Sequence, residues 1–128
     1  MARVLVPIAD LPLLSPAGRG PMPGRHLLEG RAFGLTNLTL TLGESPPGQG
    51  TRLHHHDCDE VIMVHAGRGT YTVGEETVEA GPGEVVIIPA GVPHRWVNHG
   101  QEPLVHTGVF PSSSFALEVV EDQARSDE

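Results

Sequence analysis

Seven residues in a row, His54-His55-His56-Asp57-Cys58-Asp59-Glu60, and one histidine further on in Pro93-His94, are the side chains of this sequence best suited to chemistry. On an extended strand, side chains two apart share a face, so His54 and His56 aim at one point while His55 faces away. Glu60 has the same parity, and a carboxylate re-entering after Asp57-Cys58-Asp59 supplies a third vertex. His94 follows a turn built from Gly91 and Pro93, which fixes a lone imidazole at the start of a strand. Three neutral imidazoles and one carboxylate suit Fe, Mn, Ni, Co, Cu or Zn, whereas Ca and Mg prefer oxygen donors. One such divalent transition metal per chain is expected, with adjacent coordination positions left for water, oxygen or a chelating substrate. The competing account is a solvated His-rich loop that collects metal adventitiously. His94, placed far along the chain, weighs against it.

These groups need short strands to hold them. Leu35 to Leu42 alternates leucine with polar residues at period two and is expected to be a strand, with Leu38, Leu40 and Leu42 on one face. Thr51–His56, Val61–His65, Thr70–Val73, Thr77–Glu79, Glu84–Pro89, His94–Val97 and Leu104–Phe110 are expected to be extended too, punctuated by Gly- and Pro-rich turns. In Ala80-Gly81-Pro82-Gly83, proline sets φ at the first central position of a type II turn and Gly83 takes the positive φ at the second. Phe115 to Val120 is either a short strand or one helical turn. Roughly eight to ten strands and no sustained helical period point to an all-β sandwich or barrel.

The spacing around the candidate ligands resembles the cupin superfamily. One motif is Gly48, His54, His56, Glu60 and Gly67; the other is Gly83, Pro89, Gly91, His94 and Asn98, with fifteen residues between them. The resemblance implies a small single-domain cupin, a double-stranded β-helix or jelly-roll barrel, with His54, His56, Glu60 and His94 as metal ligands and often a homodimer. It implies no particular reaction, because one fold serves many chemistries.

Other residues carry two readings each. Arg52 shares parity with His54 and His56, so it either points into the barrel to hold a carboxylate or enolate, or lies on the surface beside Gly50. Trp96 and Phe110 are candidate walls of the pocket, with plain core packing as the alternative for Trp96. His106 is a candidate proton shuttle or a hydrogen-bonded structural histidine. Cys58 is either redox-active or merely nearby. Asn98 closes a turn through its amide.

At 128 residues the chain makes one domain. Residues 1–34 form an N-terminal Pro/Gly-rich arm, with a possible edge strand, lying over the barrel or a neighbouring subunit; 35–120 form the barrel and 121–128 a disordered acidic tail. A net charge of −8, with eight arginines and no lysine, disfavours nucleic acid. One cysteine permits no internal disulfide, and no segment reads as a signal peptide or membrane span, so a cytoplasmic protein is expected. The function expected is a metal-dependent enzyme, a dioxygenase or a polyketide-cyclase-like protein, acting on a small anionic or enolic substrate. The alternatives are a non-catalytic metal-dependent binding or sensing module and a zinc-dependent isomerase.

Overall fold

In the computed structural model, which describes residues 4–16, 20–115 and the backbone of 118–119, the period-two segments become strands. They run Arg25–Leu28 (β1), Thr39–Ser45 (β2), His54–His55 (β3), Glu60–Ala66 (β4), Gly69–Val73 (β5), Glu76–Ala80 (β6), Val85–Ile88 (β7), His94–Val97 (β8), Leu104–Phe110 (β9) and Glu118–Val119 (β10). All pairings are antiparallel, in two five-stranded sheets ordered β1-β2-β9-β4-β7 and β10-β3-β8-β5-β6. This is the jelly-roll barrel of the expectation. Among the described residues no helix is long and apolar enough to cross a membrane.

The turns obey their residues. Glu84 N donates to Gly81 O at 3.1 Å and Gly83 has φ 85°, the arrangement expected of Pro82-Gly83. Between β7 and β8, Val92 N donates to Pro89 O at 3.2 Å with Gly91 at φ 80°, and Gly91 N donates to His56 O at 2.8 Å. That turn therefore ties the start of β8 to the loop after β3.

The structure moves one expected strand boundary and decides several points that the sequence left open. The strand expected from Leu35 begins at Thr39, because Gly30–Phe33 forms a 3-10 helix and Leu35 and Leu38 stay exposed outside the sheet. Its buried face is the threonine face. Thr39 Oγ1 accepts from Gly30 N at 3.1 Å and donates to Ser112 O at 2.6 Å, and Thr41 Oγ1 accepts from Arg25, so hydroxyls satisfy buried partners that leucines could not. The apolar run at β7 buries only Val86 and Ile88, leaving Val85 and Ile87 outside. Finally, of the two alternatives for the segment after Phe115, Glu118–Val119 is a strand, β10.

The arm packs on its own barrel. Leu14 N donates to Arg25 O at 2.9 Å and Met22 N to Leu14 O at 2.8 Å, folding the segment back so that Leu14 and Met22 enter the core with Ile62, Tyr71, Ile88 and Leu104. β1 is the edge strand of its sheet, so the barrel begins before residue 35. The tail at 121–128 lies outside the described residues.

Asn98 fastens the far end of β8. Its Nδ2 donates to Ser45 O and Glu102 O, both at 2.9 Å, while Oδ1 accepts from Gly100 N at 2.9 Å. Replacing Asn98 with alanine strands the buried Ser45 carbonyl and frees the part-buried Glu102 carbonyl, and chemical denaturation of Asn98→Ala is expected to register a loss of about 1–3 kcal/mol.

Candidate metal centre

β3 and β8 pair through a single register position, His54 opposite His94, so the two rings project to the same side of the sheet with centroids 4.3 Å apart. His56 follows two residues after His54 and returns to the same face, its ring centroid 5.0 Å from each of the others. Glu60 opens β4 on the opposing sheet. The candidate ligand nitrogens of His54, His56 and His94 lie within 4.8 Å of one another, and all three residues are buried. Glu60 Oε1 stands 3.4 Å from His56 Nε2 and 3.3 Å from His94 Nε2. Donors bound at about 2.0–2.2 Å around one ion are separated by roughly 3.0–3.6 Å, so the Glu60, His56 and His94 spacings suit a shared metal.

The ring orientations fit as well. His54 Nδ1 donates to Arg52 O at 2.6 Å and His94 Nδ1 to Val92 O at 2.8 Å, in each case the carbonyl two residues earlier. A carbonyl only accepts, so Nδ1 carries the proton and Nε2 keeps its lone pair for a cation. Glu60 Oε1 and His94 Nε2 are fully buried and make no hydrogen bond, an expensive arrangement unless something bridges them. Burial, helped by neighbouring His94, pulls His54 down to about 4, so its imidazole is neutral at physiological pH. Burial alone would raise the Glu60 carboxyl, but the imidazoles of His56 and His94 outweigh it and hold it below its ordinary range. Four protein donors, three neutral and one anionic, thus fit a divalent transition metal.

A cavity of about 30 Å³ adjoins these ligands, lined also by Trp96, Phe110, Leu14, Pro16 and Phe115. Trp96 lines this cavity and also belongs to the hydrophobic core, and Phe110 lines it beside His56. A larger groove of about 350 Å³ runs along β6 and β7, but it contains no histidine and three glutamates; chemistry, not size, selects the smaller one.

Arg52 does not enter the barrel. Residues 51–53 are not part of a strand, the parity argument lapses there, and the Arg52 side chain is exposed while Leu53 is buried. Its contribution is the backbone carbonyl under His54. The cation inside the barrel is Arg25 of β1, only 2% exposed and lining the cavity, which sequence reasoning missed. His106 is buried, shares a 2.8 Å hydrogen bond between Nδ1 and the Tyr71 hydroxyl, and packs edge-on against Trp96 at 4.5 Å. It does not line the cavity, which matches the structural reading of this residue. His55 is half-buried. Cys58 is half-buried and its thiol is pushed up by burial and by Glu60, which disfavours a reactive thiolate.

The family of the cupin domain matches residues 41–110, more than half of the chain. The chain belongs to the cupin family. Among curated relatives of this cupin, an uncharacterized protein of Streptomyces coelicolor is 47% identical over 74 residues, 58% of this chain and 70% of that protein. An uncharacterized protein of Methanocaldococcus jannaschii is 32% identical over 81 residues, 62% of this chain and 65% of that protein. Auxin-binding protein 4 of Zea mays is 32% identical over 83 residues, of which this cupin spans only 41%. Among solved structures, Bacillus subtilis oxalate decarboxylase, studied for its Mn(II) centers, superposes with a TM-score of 0.69 at 23% identity over 75% of this chain and 27% of that one, a likeness of fold.

Two outcomes follow. A Cβ on Gly108 would meet Glu60 Oε2 at 2.8 Å and Thr41 Oγ1 at 2.6 Å. Gly108→Ala is therefore expected to displace the carboxylate and weaken metal binding about 10–100-fold in a chelator competition, with the far-UV spectrum unchanged. In the metal-free protein the depressed His54 binds its proton later than in the unfolded chain. Stability is thus expected to be full above about pH 6.5 and to fall as pH drops toward 4, as thermal melts across that window would record.

Proposed function

We propose that this cupin is a metal-dependent enzyme of dioxygenase or cyclase type acting on a small anionic or enolic molecule. The observation that carries the reading is the convergence of three buried imidazoles and the buried Glu60 on one small cavity inside the barrel, where a surface metal trap would leave its ligands exposed. A bound divalent ion would polarise substrate oxygens and stabilise the negative charge that develops on them. The protein's own residues do the rest. His54 and His94 are held in one tautomer by the carbonyls of Arg52 and Val92, and Glu60 supplies the single negative charge that offsets part of the cation's. Phe110 packs edge-on against His56 at 5.0 Å and against Phe115 at 5.5 Å, giving the site an aromatic wall. The Mn(II) centers of the oxalate decarboxylase fold relative support a redox-capable ion.

A second reading, a metal-dependent binding module without turnover, is favoured by the 32% identity to a maize auxin-binding protein. Protein purified without nickel affinity, assayed for metal and then for oxygen uptake with enols, flavonols and diketones, separates the two. The enzyme reading predicts a transition metal in the purified chain and uptake with at least one enol, both lost in His94→Ala. Zinc with no uptake but conversion of a diketone supports the cyclase branch. Saturable binding of aromatic acids with no product formed supports the binding module.

A further inference from the structure

Arg25 is a buried cation with no direct ion pair among the described residues, Glu60 being the carboxylate whose charge it feels. It reaches inward from β1 and donates from Nη1 to Gly43 O at 3.0 Å and His106 O at 2.7 Å, and from Nη2 to Thr41 Oγ1 at 3.2 Å. Its Nε is buried and unpartnered, and among the described residues no carboxylate forms an ion pair with it. Carbonyl and hydroxyl dipoles satisfy donors, but they do not cancel a charge, and charges buried in proteins are as a rule paired. Burial draws the guanidinium down to about 10, opposed by Tyr71 and Glu60, so it remains a cation at neutral pH. Trp96 lies beside it, 5.9 Å from ring centroid to Cζ. If Arg25 served only to staple β1 to the neighbouring strands, its charge would be a burden without a use.

The cavity it lines is the one that His54, His56, Glu60 and His94 face. A divalent ion set against the single carboxylate of Glu60 leaves surplus positive charge, and Arg25 adds one more, so this interior is electropositive although the chain as a whole carries −8. A space of about 30 Å³ holds roughly two water molecules. The end of a ligand that enters it is therefore small, the size of a single carboxylate group.

We propose that Arg25 is the anion-binding residue of this site and that its ligand is a short-chain carboxylate, with oxygens shared between the guanidinium and the metal position. The assignment rests on the metal-dependent reading above and narrows its substrate class. A carboxylate matches the fork of a guanidinium, with Thr41 beside it.

Trp96 is the single tryptophan of the chain, so its fluorescence reports arrival of a ligand next to Arg25. Mn(II)-loaded protein is titrated with glycolate, acetate, oxalate, acetamide and inorganic phosphate while metal content is measured in parallel. The carboxylates are expected to bind at least tenfold more tightly than acetamide. Arg25→Gln is expected to keep its metal but to lose about 30-fold or more in glycolate affinity, and Arg25→Lys to recover part of that loss. Should Arg25→Gln fail to fold, the acetate and acetamide comparison on wild type and the Arg25→Lys titration still decide. Metal-loaded wild type that binds acetamide as tightly as acetate, or phosphate more tightly than glycolate, overturns the Arg25 assignment and leaves the metal site standing. A folded, metal-loaded Arg25→Gln that binds glycolate like wild type does the same. Wild type that takes up no metal overturns both readings.

Discussion

One cross-strand pair, His54 opposite His94, sets the geometry on which the site depends. β3 is only two residues long, so it cannot hold that register alone. Backbone bonds on both sides do it: Thr51 N to Trp96 O at 2.9 Å, Asn98 N to Gln49 O at 2.9 Å and Gly91 N to His56 O at 2.8 Å. Because side chains alternate across a strand, a slip of one residue would turn His54 and His94 away from each other. The same pairing lets each ring spend its Nδ1 proton on a carbonyl of its own chain, leaving Nε2 for a cation.

The barrel around this pair is more polar inside than its apolar content suggests. Thr39, Thr41, Arg25, Glu60, His106 and Asn98 are all buried, and most have hydrogen-bond partners within the fold. Among the atoms left without one, Glu60 Oε1 and His94 Nε2 stand at the ligands and Arg25 Nε beside the same cavity, while Ser45 Oγ, Gln49 Oε1 and His106 Nε2 lie away from it. Unsatisfied polar atoms are costly in a low dielectric, and those of Glu60 and His94 face a position that a cation would fill.

Much of this was legible in the sequence because it is local. Parity along a strand brings His54 and His56 to one face, Gly91 builds the turn before His94, and Pro82-Gly83 builds its own turn; each depends on a few neighbouring residues. What failed depends on distance or on strand ends. Parity leaves Arg52 two readings, and because its stretch is not yet a strand the surface one holds. Arg25 gave no signal, since it sits on a four-residue strand inside Pro/Gly-rich sequence and finds its partner carbonyl at His106, far along the chain. The alternation of leucine and threonine in β2 marked a strand without marking which face is buried. That choice is made by the polar partners Arg25 and Ser112, which come from elsewhere in the chain.

The most direct test of the central claim is an anomalous-difference map from crystals of the protein grown with Mn(II). The account predicts one strong peak inside the barrel, about 2.0–2.3 Å from donor atoms of His54, His56, Glu60 and His94. A map with no interior peak, or with metal only at the outward-facing His55, Asp57 and Asp59, would contradict it.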